Sequence, residues 1–301
     1  MTSRFRALLP FLFLALPLVV LSIVGILGNR EARTVVLGAI ADCQYADQPD
    51  GGQRLYRRSP DKLRAAVADL NGRDLDLVLH LGDFIDKDWA SFDVVAPIYD
   101  QLKAPHHHVL GNHDFSVEDA RKPEVPARLG LKSRYYALRE GSWRFLALDS
   151  NDLSTYAWPA GSAELEASLA WYAEHGNGAA QWNGAVGPEQ LAWLEAQLVE
   201  AAAAGDRVVV SSHHPVYPDA GHNLWNAAAV RELLLRYPCV KLYLSGHNHN
   251  GDYAEIDGLH FLTLHGMVDT EATSYAVLTL GMEWIEVDGV GRTPDRRLTI
   301  R

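Results

Sequence analysis

Five times along this chain a short, largely apolar run stops abruptly at a carboxylate, an amide or an imidazole. The strings are ADCQYAD, LHLGDFID, VLGNHDF, SSHHP and SGHNHNG. They place Asp42 and Gln44, Asp83, Asn112 and His113, His213, and His247 and His249 directly after predicted strands. This pattern constrains the fold more than composition does. In open α/β sheets the C-terminal strand ends share one rim, where loops converge and ligands bind. Each string alone is weakly specific: a Gly-Asp after a strand is most often a turn, and a lone Asn-His is usually a polar loop. Five of them in order, each offering oxygen or imidazole donors, point to a metal centre.

The rest of the sequence has the rhythm of a layered α/β fold, short β-branched runs alternating with helical patterns. Strands are predicted at 35–40, 75–81, 107–110, 135–138, 143–148, 208–212, 240–245, 259–264 and 275–280. Ser59-Pro60-Asp61 supplies an N-cap, a proline and an early acid for an amphipathic helix through Leu70, which Gly72 can end. Further helices are predicted at 188–204 and 227–236. Glu140-Gly141 and Asp257-Gly258 suit tight hairpins, so the later part is partly antiparallel. Residues 151–185 lack strong periodicity and carry Trp158, Trp171, Tyr172 and Trp182. That segment reads as a long insertion, either a functional loop or one whose aromatics pack it onto the domain.

The first thirty residues differ from the rest of the chain. Arg4 and Arg6 precede an apolar run from Ala7 to Gly28, interrupted by Pro10, Pro17 and Ser22. About 22 residues can span a bilayer core of ~30 Å and exceed the usual signal-peptide core of ~7–15 residues. A retained anchor is favoured over a cleaved signal. With the arginines inside, residues 31–301, the domain that carries the donor strings, are expected to lie outside the cytoplasm. The net charge of −11 argues against a nucleic-acid backbone binder. Cys43 and Cys239, the only two cysteines, lack the spacing of a zinc or redox pair and read as buried thiols, with one bridge as the alternative.

The ordered strings resemble the calcineurin-like metallophosphoesterase superfamily, whose pattern is Asp-x-His, Gly-Asp-x-x-Asp, Gly-Asn-His-Asp/Glu, a His, and Gly-His-x-His. The resemblance covers nearly all of residues 34–265. It implies a central β-sandwich flanked by helices and two divalent cations bridged by Asp83. Asp42, Gln44 and His249 would complete one site, and Asn112, His213 and His247 the other. Of the pair His213-His214, the first takes the position just after the strand. Gln44 stands where most members have histidine. An amide oxygen in place of an imidazole nitrogen makes the site harder and favours Mn²⁺ or Mg²⁺ over zinc or iron. The variant ADCQYAD, with HHHVLGNHDF, FLALDSNDLS, HHPVYPDA, GHNHNGDY and GRTPDRRL, is similar to the manganese-dependent ADP-ribose/CDP-alcohol diphosphatase family. Residues 49–55 do not match that family.

Two metals about 3.5–4 Å apart can hold a hydroxide between them and clamp phosphoryl oxygens, so no protein nucleophile is required. His113 is the expected acid or charge donor at the scissile phosphate, with Asp114 orienting it. Asp86 is expected to support a ligand histidine, with a plain loop carboxylate as the alternative. His106, His107 and His108 are read as structural, with His107 on the face opposite its neighbours. Arg292, Arg296 and Arg297 either meet a diphosphate or are solvated tail charges. The expected reaction is hydrolysis of a diphosphate in a small nucleotide. The alternatives are a broader phosphodiesterase acting on cyclic nucleotides or lipid head groups outside the cytoplasm, and a membrane-tethered interaction module that has lost the chemistry.

Overall fold

The computed structural model describes residues 34–300. The apolar segment at 7–28 lies outside them, and among the described residues no helix is long and apolar enough to cross a membrane. The strands in chain order are β1 Val35–Ile40, β2 Leu77–His80, β3 His106–His108, β4 Tyr136–Glu140, β5 Trp143–Ala147, β6 Arg207–Ser211, β7 Val240–Ser245, β8 Asn250–Ile256, β9 Leu259–His265, β10 Tyr275–Leu280, β11 Trp284–Val290 and β12 Arg296–Thr299. They form two six-stranded mixed sheets, ordered β12-β11-β10-β1-β2-β3 and β4-β5-β6-β7-β9-β8.

Side-chain alternation explains the layering. Leu37, Ala39, Leu77 and Leu79 of the first sheet meet Phe145, Val209, Leu242, Leu244 and Leu262 of the second in the core between them. The alternate residues face outward and are covered by helices. Val78 and Ile40 pack under α1 (Ser59–Leu70) and α2 (Ser91–Tyr99). Leu146, Val208, Val210 and Tyr243 pack under the helices at Pro188–Ala204 and Ala227–Leu235. Strands buried on both faces read as continuous apolar runs, which is why they are visible in the sequence. The sandwich flanked by helices is the expected architecture.

Several boundaries differ for local reasons. The helix at 59–70 begins one residue early, with Arg58 as its N-cap, because a 3₁₀ turn at Tyr56–Arg58 runs straight into it. The strand expected at 107–110 ends at His108, and Val109 makes one last bond to the His80 carbonyl before the chain turns toward the rim. Strands β8, β11 and β12 are more polar than the alternation rule detects, and a helix at Ala163–His175 lies inside the supposed insertion. Both cysteines are free thiols, Cys43 buried and Cys239 half-buried rather than buried as expected. His107 faces the Tyr136 ring, whereas His108 packs against His80, Phe84 and Tyr99, as alternation requires.

Candidate metal centre

The C-terminal ends of β1, β2 and β3 in one sheet and of β6 and β7 in the other open onto the same rim, and their loops are laced together. The Asp42 amide donates to the Gly82 carbonyl, Gln44 to Asp83, and Gly246 to His213, at 3.2, 2.8 and 3.0 Å. Asp42, Gln44, Asp83 and His247 all adopt left-handed backbone angles, with φ of 52°, 50°, 54° and 68°. Such angles are strained for residues with a Cβ and persist where the surroundings over-determine them. The glycines of the Gly-Asp and Gly-Asn-His strings have a steric reason. A Cβ on Gly111 would lie 2.0 Å from the Asp83 amide nitrogen, and one on Gly82 2.6 Å from His213 Nδ1.

The side chains converge. Asp83 Oδ2 lies 3.2 Å from His213 Nε2, which is 3.1 Å from both Asn112 Oδ1 and His247 Nδ1. Asp83, His213 and His247 present donor atoms that all fall within 4.8 Å of one another. Asp42 accepts the His247 amide through both oxygens at 3.2 Å and faces His249 Nε2 at 3.5 Å. Six of the seven residues singled out in the sequence as metal donors are joined by these contacts, and Gln44 reaches the Asp83 loop through its backbone amide.

Each histidine is held from behind. His213 Nδ1 bonds the Leu81 carbonyl at 2.8 Å, His247 Nε2 bonds Asn183 Oδ1 at 2.9 Å, and His249 Nδ1 bonds Asp269 Oδ1 at 2.9 Å. Fixing one nitrogen sets the ring tautomer and leaves the other for a cation, as ligating histidines are usually supported. Gln44 makes the same point with an amide. Its nitrogen donates to Asp86 Oδ1 at 3.1 Å, whereas its carbonyl oxygen is buried without a partner. A buried acceptor left unsatisfied is costly, and a cation is the partner the surrounding donors suit. The residues present therefore fit a divalent-metal site.

The electrostatics agree. Burial opposes charge on His213, but the Asp83 and Asp42 carboxylates outweigh it and hold the imidazole up, at about 9. Burial likewise opposes charge on His249, and Asp42 with Asp269 raises it to about 9. His247 is pushed well below its ordinary value, by burial and then by its imidazole neighbours. The carboxylates thus draw positive charge onto this rim, and a divalent cation competes with protons for the same lone pairs.

His113 sits at the edge of the centre. Its amide donates to Asp83 Oδ1 at 2.7 Å, and its Nδ1 lies 3.1 Å from both the carbonyl and the carboxylate Oδ1 of Asp86. Burial opposes its protonation, yet Asp83 and Asp86 raise it above the ordinary value. A cavity of about 440 Å³ opens over the rim, lined by Asp83, Asn112, His113, His247 and His249 from the strand ends. Arg54, Tyr156, Trp182 and His222 line it from loops. That volume suits a small organic ligand.

A calcineurin-like phosphoesterase family model matches residues 36–251. The chain belongs to the calcineurin-like phosphoesterase family. It is a metal-dependent phosphohydrolase by that membership. Its relatives include the mouse protein named manganese-dependent ADP-ribose/CDP-alcohol diphosphatase, 32% identical over 86% of this chain and 91% of the relative. The human protein of the same name is 30% identical over 90% and 94%. Among solved structures, a dimetal phosphatase from Danio rerio superimposes with a TM-score of 0.82 at 28% identity, over 89% of this chain and 99% of that one.

Within this phosphoesterase, two expectations need correction. Asp114 does not orient His113. It is fully buried and accepts the backbone amides of Phe84, Ile85 and Gly111 at 2.8, 3.3 and 2.9 Å, bracing the Asp83 loop from beneath. Burial and the Asp83 charge push Asp114 up to about 7 against the pull of those amides. Asp86 is the residue that orients His113, and it otherwise holds Gln44 and Gln48 rather than one of the ligand histidines His213, His247 or His249. His214 turns from the centre to Ser150 Oγ at 2.8 Å.

The C-terminal arginines are not at the cavity. Arg296 and Arg297 lie over Tyr253 and Trp284, and Arg292 bonds the Gly266 carbonyl at 2.7 Å. Sequence reasoning missed Asn183, Arg54 and His222, which follow no strand end, and Asp269, which stands four residues past β9 but outside the five strings. The one available signal was the aromatic content of the 151–185 segment, which supplies Trp182 and Asn183.

Proposed function

We propose that this phosphoesterase hydrolyses the diphosphate bond of nucleoside diphosphates joined to a sugar or an alcohol, ADP-ribose and CDP-alcohols among them, using two divalent cations with Mn²⁺ preferred. The observation that carries the reading is the orphaned carbonyl of Gln44, a hard donor where most of the superfamily has imidazole. The names of the mouse and human relatives support it. Asp42, Gln44, Asp83 and His249 would hold one cation and Asp83, Asn112, His213 and His247 the other. When bound, such a pair supplies hydroxide near neutral pH and neutralises the phosphoryl oxygens.

The chain's own groups do the rest. The oxygen of water adds to one phosphorus, the bridging P–O bond breaks, and the departing phosphate monoester needs a proton. His113 holds one, because Asp83 and Asp86 favour its charged form and Asp86 fixes Nδ1, leaving Nε2 as the donor. Arg54, half-buried on the cavity wall, offers a cation to non-bridging oxygens. The full-length protein, assayed with ADP-ribose, CDP-choline, cyclic AMP and an aryl phosphodiester under Mn²⁺, Mg²⁺ and Zn²⁺, should release AMP and CMP fastest with Mn²⁺. Turnover of the aryl phosphodiester with both diphosphates left intact would replace this reading with the broader phosphodiesterase. Export of residues 31–301, supported by Arg4, Arg6 and the apolar run at 7–28, is testable separately. Protease added outside intact cells should digest a C-terminal tag, and a protected tag would reject it.

A further inference from the structure

The phosphate half of the proposed substrate has partners on the rim, whereas its base has none yet. Two adjoining cavities share Arg54, His222, His247 and His249. The smaller, about 300 Å³, is otherwise lined by polar groups such as Gln53, Asn248 and Asn250. The larger has Trp182, a residue 44% exposed although its ring lies against that of His247 at the centre. An indole so exposed leaves a face open for another planar ring.

The surroundings fix that indole in place. Its ring lies 5.1 Å from the His222 ring and 5.2 Å from that of His247, inclined at 49° and 47°. The Trp182 backbone carbonyl lies 3.4 Å from His214 Nε2. The next residue, Asn183, is buried and clamped at both ends, Oδ1 to His247 and Nδ2 to the Gly221 carbonyl at 2.9 Å. A ring already ordered loses little freedom when a ligand stacks on it.

We propose that Trp182, backed by His222, is the platform on which the nucleobase stacks while its diphosphate lies over the metal centre. The inference rests on the nucleotide reading above and assigns that substrate's recognition. Stacking is indifferent to base identity because every base has a π-face. One platform therefore serves adenine and cytosine alike, as a substrate class holding both ADP and CDP derivatives requires.

The test is calorimetric binding of AMP, CMP and base-free methyl phosphate to the Mn²⁺-loaded full-length protein, its Trp182→Ala and Trp182→Phe variants, with metal content measured for each. Trp182→Ala should weaken AMP and CMP by about tenfold, within the range for losing one stacked base, and Trp182→Phe should recover most of that. Equal AMP affinity in Trp182→Ala and wild type would overturn the platform. So would an equal loss for methyl phosphate, which would place the effect on the centre itself. If AMP binding depends on Trp182 but ADP-ribose is left uncleaved, the platform stands and the diphosphatase reading falls.

Discussion

The cradle of donors at the strand ends and the rim of loops above it are built on different principles. In the cradle, Asp42, Asp83, His213 and His247 are all buried, and several adopt strained backbone angles that neighbouring loops enforce. On the rim, Arg54, Trp182 and His222 are half-buried or exposed and come from the 49–55 segment, the 151–185 segment and the turn before Ala227. The cradle trades backbone strain for fixed charge geometry, which suits chemistry that varies little. The rim trades burial for composition, which suits a substrate whose organic part can change.

That division can be broken most severely at its centre. Asp83→Ala removes the carboxylate common to both proposed cation sites, together with the acceptor for the His113 amide. Turnover of ADP-ribose should fall about 10³-fold or more, at the upper end for loss of one electrostatic stabiliser, and bound metal should fall with it. Metal analysis and steady-state assay decide it, and a variant with wild-type metal content and rate would dissolve the distinction between cradle and rim. Next in size, His113→Ala should slow turnover about 10²-fold while both metals stay bound. Metal loss in that variant would make His113 a structural part of the cradle instead.

The cradle was legible in the sequence because each donor stands within a few residues of the end of an apolar strand, and a strand buried on both faces is itself conspicuous. Local chain order therefore carried Asp42, Gln44, Asp83, Asn112, His213, His247 and His249 to the cradle. What was not legible is everything that acts across chain distance. Asp114 stands next to His113 in sequence, and adjacency suggested a partnership, but a 3₁₀ turn at His113–Phe115 sends the two side chains opposite ways, so Asp114 turns inward to three amides. Asn183 and Asp269 support histidines 64 and 20 residues away in sequence, and no local pattern announces them.

Asn183 belongs to the rim by sequence and to the cradle by contact, which makes it the sharpest intermediate case. Asn183→Ala removes the acceptor that fixes His247 Nε2. Loss of such a support typically weakens metal affinity about 10- to 100-fold, and titration of Mn²⁺ into the metal-stripped protein should show that with a smaller change at saturating metal. If Mn²⁺ affinity were untouched and only nucleotide affinity fell, Asn183 would act through Trp182 alone.

The smallest expected effect separates binding from chemistry on the rim. Arg54 lies between the two cavities, where burial works against its charge but Tyr56, Asp83 and Asp86 together favour the charged form. A hydrogen bond to a charged group contributes about 1.5–3 kcal/mol, and the partial exposure of Arg54 places it just below the low end, at about 1–1.4 kcal/mol. Arg54→Ala should therefore raise KM for ADP-ribose about five- to tenfold and leave kcat within about threefold, the signature of a contact made equally in ground and transition states. Arg54→Lys should recover part of the loss, since a lysine keeps the charge and loses the planar fork that grips two oxygens together. A fall in kcat as large as the rise in KM would move Arg54 into the chemistry, and the boundary between cradle and rim would then lie one residue further out.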